Sequence, residues 1–331
     1  MKNQHFFPAL AALALALAFV ACPGKDDDDD KKNTADVYVV GEGPMLWKNG
    51  AGRRISNHDA AALSVFVSGD DVHVAGVEYG GWDANNNNAV YWKNGVMQRL
   101  SNGNNDARAN SVFVFGNNVY VAGYECNAQW DSMATLWVNG QAQRLNSGGI
   151  DASARSVFVS GDDVYVAGEE GFGGRGGAIL WKNGTLQRLS ASGGAYSVFV
   201  SNNDVYVAGW NNDGSTLWKN GTSQRLNNII SPEAVFVSGS DVYVLGYSQN
   251  RGKSTVAIWN NGAVQDISDG RRNAYAYSLF VSKGDVYVAG WEEGTDDSAI
   301  PTLWKNGVAQ RLTTQTPDVF AYSVYVVEKS N

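Results

Sequence analysis

Apolar and polar residues alternate along this chain in short phrases, and the same phrases keep returning. The most compact copy runs from Ser197 to Leu226, SVFVSNNDVYVAGWNNDGSTLWKNGTSQRL. SVFVS and DVYVAG alternate with a period of two, which predicts β-strands. In the copy at Ser64, Val65 and Val67 take one face, and Phe66 takes the other with Ser64 and Ser68. Strands that are largely apolar on both faces belong between neighbouring layers of structure. The third phrase, LWKNG-x-x-QRL, reads as two short strands around an Asn-Gly turn. Asn-Gly is favoured there because both turn residues need positive φ. Two-residue connections also join the first two phrases, at Gly69-Asp70, Gly116-Asn117, Gly161-Asp162, Asn202-Asn203, Gly239-Ser240 and Lys283-Gly284. Each unit is thus expected to form four antiparallel strands: A (SVFVS), B (DVYVAG), C (TLWK) and D (QRL). Tight turns join A to B and C to D. The long, variable B–C and D–A connections then share one face, which is free to vary.

The third phrase places a tryptophan at positions 47, 92, 137, 181, 218, 259 and 304, so the spacings are 45, 45, 44, 37, 41 and 45 residues. A period of 40–45 residues with four strands is that of a propeller blade. The first B phrase, Asp36 to Gly41, has no A before it, and the last A phrase, Ser323 to Val327, has no B after it. Joined, the two orphans make a seventh blade, and a closed ring leaves no raw edge at either end. The predicted fold is therefore all-β: a seven-bladed β-propeller over residues 36–329, closed by the C-terminal strand A joining the N-terminal strands B, C and D. The chain resembles bacterial lipoproteins whose repeated YVAG…LWKNG units form such propellers. That resemblance implies an architecture and no activity.

The start of the chain has a different composition. Residues 1–21 combine a short start carrying Lys2 with the apolar run Phe6 to Val20, which suits a signal-peptide core. Ala21-Cys22 resembles a lipobox, with Phe19 where the usual pattern has Leu, Val or Ile. The resemblance implies cleavage before Cys22, acylation of its sulfur and new amino group, and attachment to the membrane through that lipid. Residues 22–35 hold Lys25 and the five aspartates Asp26 to Asp30, too polar to order themselves, and read as an acidic tether. Lys followed by acidic residues is similar to signals that send lipoproteins to the outer leaflet of the outer membrane, so surface display is expected. Formal net charge is −8, and about −7 without residues 1–32. That balance argues against a nucleic-acid partner, which needs a basic face. Cys126 is left as a lone thiol in a loop.

Positions kept in every copy are what a blade needs. The repeated Trp is expected to wedge its indole between blades. The arginines of QRL (Arg54, Arg99, Arg144, Arg188, Arg225 and Arg311, with Asp266 breaking the series) should guard the exposed edge of strand D. The aspartates opening strand B (Asp71, Asp163, Asp204, Asp241 and Asp285) should stabilise a turn. One carboxylate per turn is too thin for a calcium site, and His5 in the leader, His58 in a D–A segment and His73 in a strand B assemble no metal-spaced cluster and no triad. No metal and no cofactor is expected.

Chemistry is sought instead among the positions that vary. Trp82, Trp130, Trp210 and Trp291 lie in B–C segments, where Tyr79, Tyr124, Phe172 and Tyr247 join them. The residue before each SVF phrase (Leu63, Asn110, Arg155, Tyr196, Glu233, Tyr277 and Tyr322) should ring the mouth of the central channel. Aromatic residues among Asn, Asp and Gly suit sugar stacking or a protein anchor, although the same rings could simply cover the blade tops. The ligand-binding candidates are Trp82, Trp130, Trp210, Trp291, Tyr79, Tyr124, Tyr247, Arg155, Tyr196, Tyr277 and Tyr322. The leading expectation is a monomeric, non-enzymatic binding module whose ligand is a glycan or a polypeptide. One alternative is a carbohydrate-active enzyme using loop carboxylates such as Glu169-Glu170 or Glu292-Glu293, which would have to face each other across about 5–10 Å. The other is a purely architectural part of an envelope complex.

Overall fold

The computed structural model describes residues 35–81, 86–147, 151–171, 176–250, 252–314 and 318–329. Cys22, Trp82 and Phe172, and with them the proposed leader and nearly all of the tether, lie outside the described residues. Among the described residues, 28 strands form seven four-stranded antiparallel sheets, each in the order A-B-C-D, and no residue is helical. Counting blades from the first complete unit, blade 7 is the composite one. Its strand A, Ala321–Glu328, pairs with strand B, Ala35–Gly41, from Glu328↔Ala35 to Ala321↔Gly41.

The hairpins follow their turn chemistry. The Asn and Gly of every WKNG or equivalent turn both have positive φ, 46–53° at Asn and 76–103° at Gly, as a type I′ turn requires. Among the A–B turns, Gly69, Gly116, Gly161 and Gly239 alone are left-handed. Where Asn202 or Lys283 replaces that glycine, the next residue, Asn203 or Gly284, becomes left-handed as well.

Each turn Asn also reaches across to strand B. Its Oδ1 accepts an amide N–H there at 2.8–3.2 Å in all seven blades, from Val37, Val72, Val119, Val164, Val205, Val242 and Val286. Its Nδ2 donates to the Asp that opens strand B, or to Asn118 in blade 2. In five blades a Lys of the LWK phrase takes the other carboxylate oxygen at 2.7–2.8 Å. That lysine holds Asp71, Asp163, Asp204 and Asp285 below the usual carboxylate range, with the Asn adding to it. The aspartates therefore do stabilise a turn, but it is the turn of the other hairpin, C–D.

The core lies between blades. Trp47 of blade 7 packs with Tyr287, Ala289 and Leu303 of blade 6, and Trp92 of blade 1 packs with Val40 and Leu46 of blade 7. On the innermost strands, Val65 and Val67 face the preceding blade, whereas Phe66 packs against the following one. The same phenylalanines close a collar around the channel. Phe66, Phe113, Phe158, Phe199, Phe236, Phe280 and Tyr325 touch in sequence, with ring centroids 4.7–5.1 Å apart, and Tyr325 returns to Phe66. A serine one residue before each valine clips neighbouring blades together. Ser323 Oγ accepts the N–H of Val65, Ser64 that of Val112, and Ser111 that of Val157; three further clips continue the series. It breaks at blade 5, where Ala234 occupies the serine position.

Two expectations change with the strand register. The arginines of strand D do more than guard an edge: Arg99 and Arg188 fork onto Glu78 and Glu170, buried at the ends of their strands B. In blade 5, where Asp266 replaces the arginine, Ser248 stands at the glutamate position and donates to it at 2.5 Å. Cys126 lies in no loop. It ends strand B of blade 2, Asn118–Cys126, and is buried.

The channel mouth as a candidate functional site

A bulge in every strand A builds the site. In blade 1, Ala62 pairs with Gly76 and Ser64 with Ala75, which leaves Leu63 unpaired. The same shift singles out Asn110, Arg155, Tyr196, Tyr277 and Tyr322. Blade 5 has a longer irregularity between Ile230 and Ala234, and Glu233 stands in the corresponding place. A bulge re-aims one side chain while the ladder continues on either side. Leu63 and Ser64, adjacent in sequence, can thus both line the channel.

The bulge also explains the glycine of YVAG. A Cβ on Gly76 would lie 2.0 Å from the carbonyl oxygen of Ala61. At Gly41, Gly123, Gly168, Gly209 and Gly290 the corresponding distance is 1.9–2.2 Å, and at Gly246, beside the irregular bulge, 2.7 Å. The tight approach is made by backbone, which cannot rotate away.

All seven bulge residues line one basin of about 690 Å³, joined by Arg108, Trp210, Gly214, Ser215 and Ser231. In four blades the residue after the YVAG glycine bonds to the bulge residue of its own blade. Trp210 Nε1 donates to the Tyr196 hydroxyl at 2.6 Å, and Trp291 Nε1 donates to the Tyr277 hydroxyl at 3.2 Å. Tyr322 donates to Glu42 at 2.8 Å, and Arg155 pairs with Glu169. Blades 6 and 7 carry a run of aromatic contacts. Tyr275 stacks on Trp291 at 4.8 Å, Trp291 meets Phe320 edge-on at 5.4 Å, and Tyr277 meets Tyr322 at 5.4 Å.

The sequence candidates divide on this geometry. Arg155, Tyr196, Trp210, Tyr277 and Tyr322 meet in the basin, with Trp291 behind Tyr277. Tyr124 lines an adjoining cavity of about 220 Å³ and donates to Asp106. Tyr79 and Trp130 are exposed away from the basin lining; Tyr79 donates to Glu42. Tyr247 is buried, and its hydroxyl both donates to and accepts from the backbone of Ala276, so it joins blades 5 and 6 and offers no ring to solvent. Sequence reasoning missed Arg108, Tyr275 and Phe320. Arg108 sits two residues before Asn110, where only the bulge would signal it.

Glu233 is half-buried in the basin wall, and burial pushes its carboxyl up to about 7 against the opposing pull of Arg155. Burial likewise raises the Tyr196 and Tyr277 hydroxyls, so both stay neutral donors. Among the described residues no group of three His, Cys, Asp or Glu side chains could hold a metal ion.

No protein-family model and no curated protein matches this chain. Solved structures do. The β-propeller domain of the trilobed protease from Pyrococcus furiosus, described as having an open velcro topology, is similar at a TM-score of 0.51 and 12% identity, over 86% of this chain and 93% of that one. Pyrococcus horikoshii acylaminoacyl peptidase is similar at 0.51 and 13% identity, over 85% of this chain and 50% of that one. At such identity the likeness shows the fold alone: a β-propeller.

Proposed function

We propose that this chain is a binding module that presents its channel mouth to a glycan or a polypeptide, without catalysing a reaction. The observation that carries this reading is the convergence of all seven variable bulge residues on one basin, while every repeated position serves the blades. Aromatic walls whose polar tips are already bonded to each other leave their ring faces for a ligand. The other carboxylates nearby are engaged: Glu169 by Arg155, and Glu42 by Tyr79 and Tyr322. Glu233 therefore has no free partner carboxylate among the described residues of the basin, which favours binding over glycosidase chemistry.

A glycan array run beside pull-downs from envelope extracts identifies the ligand. Trp210→Ala with Trp291→Ala is then expected to weaken it about tenfold or more, through loss of the Trp210 ring in the basin and of the indole that holds Tyr277, with the fold intact by circular dichroism. Unchanged affinity in that double variant would sink the reading.

The second part of the proposal concerns location. The lipobox-like Ala21-Cys22 and the acidic tether support a lipid-anchored, surface-displayed envelope protein. Radiolabelled palmitate is expected to label the full chain and to leave Cys22→Ala unlabelled; equal labelling of both would remove the anchor.

A further inference from the structure

We infer that the basin takes a ligand with two poles, an ammonium group seated against Glu233 between Tyr196 and Tyr277 and an anionic group seated against Arg108. This rests on the binding-module reading and names the ligand class that the same site selects. Among the described residues, two charged side chains of the basin stand without a hydrogen-bond or ion-pair partner. Glu233 makes no hydrogen bond and no ion pair among the described residues, although it lies in the basin wall. Arg108 likewise makes no ion pair, and its buried Nε finds no hydrogen-bond partner among the described residues. The two fully buried carboxylates of the ring are paired, Glu78 with Arg99 and His58, and Glu170 with Arg188. Leaving a charge unpaired in a partly dry site is costly, so two such charges of opposite sign in one cavity point to a ligand that satisfies both.

The surroundings of each pole agree. Glu233 of blade 5 stands between the mouth residues of blades 4 and 6, both tyrosines, and aromatic faces around a carboxylate suit an ammonium group through cation–π attraction. The nearby cation Arg155 is already neutralised by Glu169, so it does not repel that group. Arg108 belongs to blade 2 and lines both the basin and the adjoining cavity, which gives the anionic end its own recess. A guanidinium fork there favours a carboxylate or a phosphate.

The test titrates the full chain with ω-amino acids of increasing length, from glycine to ε-aminocaproate, and with the matching alkylamines and alkanoates. One length of amino acid is expected to bind about tenfold or more tighter than its amine or its acid, since each pole adds a charge-assisted contact. Glu233→Gln should remove the preference for amines. Arg108→Gln should bring the best amino acid down to the level of its amine, with circular dichroism confirming that both variants fold. Affinity for the amine should also fall as pH drops below about 7, because protonation removes the carboxylate that the ammonium needs. The other groups facing Glu233 do not produce that change: burial raises the Tyr196, Tyr247 and Tyr277 hydroxyls and keeps them neutral, and Arg155 is paired with Glu169. Tightest binding of alkanoates, equal affinity in Glu233→Gln, or no binding of any probe overturns the inference. The platform reading survives that outcome if array ligands still bind and still depend on Trp210 and Trp291.

Discussion

A chain truncated after Phe320 is expected to lose its cooperative unfolding transition and to associate into oligomers. The deletion removes strand A of blade 7, Ala321–Glu328, and with it the whole ladder to Ala35–Gly41. Ala321, Val324 and Val326 are buried in the interface with blade 6. Burying each valine contributes roughly 1.5–3 kcal/mol, so this strand alone approaches the 5–15 kcal/mol by which a domain is stable. Tyr325 leaves the aromatic collar, and the clip from Ser323 to Val65 disappears, so blade 1 loses its neighbour as well. What remains exposes strand B of blade 7 as a raw edge, which recruits other chains. Removing only Ser330 and Asn331 is the control, expected to melt like the full chain. Adding the missing strand as a synthetic peptide should restore the transition. A truncated chain that melts within a few degrees of the parent and stays monomeric would show that closure does not hold this ring.

Most of the architecture was legible because its rules are local. The period-two alternation of SVFVS and DVYVAG, the Asn-Gly turns and the spacing of the tryptophans each depend on a few neighbouring residues. Closure was legible by matching the orphan B phrase at one end to the orphan A phrase at the other. What stayed hidden depends on register between strands. Arg99 and Glu78 are 21 residues apart, and only the B–C–D ladder brings them together. The same holds for blade 1, where His73 replaces the usual Tyr and Tyr91 the usual Leu. The two substitutions answer each other through a 2.6 Å bond between His73 Nδ1 and the Tyr91 hydroxyl.

The mouth was read in part for a similar reason. Its ring of seven variable residues could be found from their place before SVF. That they face the channel at all depends on a bulge, and a bulge is a mismatch of two strands that neither shows alone. This is why Tyr247 passed for a surface ring. The longer irregularity at Ser231 to Glu233 draws blade 5 into a different path, and the Tyr247 hydroxyl is bonded to blade 6. It is also why Arg108 went unnoticed, being outside both the repeated phrases and the position before SVF.

The repeated glycine of YVAG carries the second large effect. Gly209→Ala is expected to destabilise the protein by about 2–4 kcal/mol, the upper range for forcing extra atoms into a packed interior. Gly209 does not have a left-handed φ, so the cost is not one of backbone conformation. Its new Cβ would lie 2.0 Å from the carbonyl oxygen of Gly194 and 3.0 Å from the Cα of Ala195. Those atoms belong to the strand that bulges at Tyr196, so relief has to come from flattening the bulge. Gly239→Ala supplies the contrast: it has a φ of 62° and nothing within 4 Å, and should cost only about 1 kcal/mol, through strain alone. Chemical denaturation of both variants measures the difference. Flattening the bulge also draws Tyr196 away from the indole of Trp210, so any ligand that Gly209→Ala still folds to bind should be held more weakly than by Gly239→Ala. If the two glycines proved equally costly, or the order were reversed, the bulge would not be what the repeated glycine serves, and the mouth would owe its shape to something else.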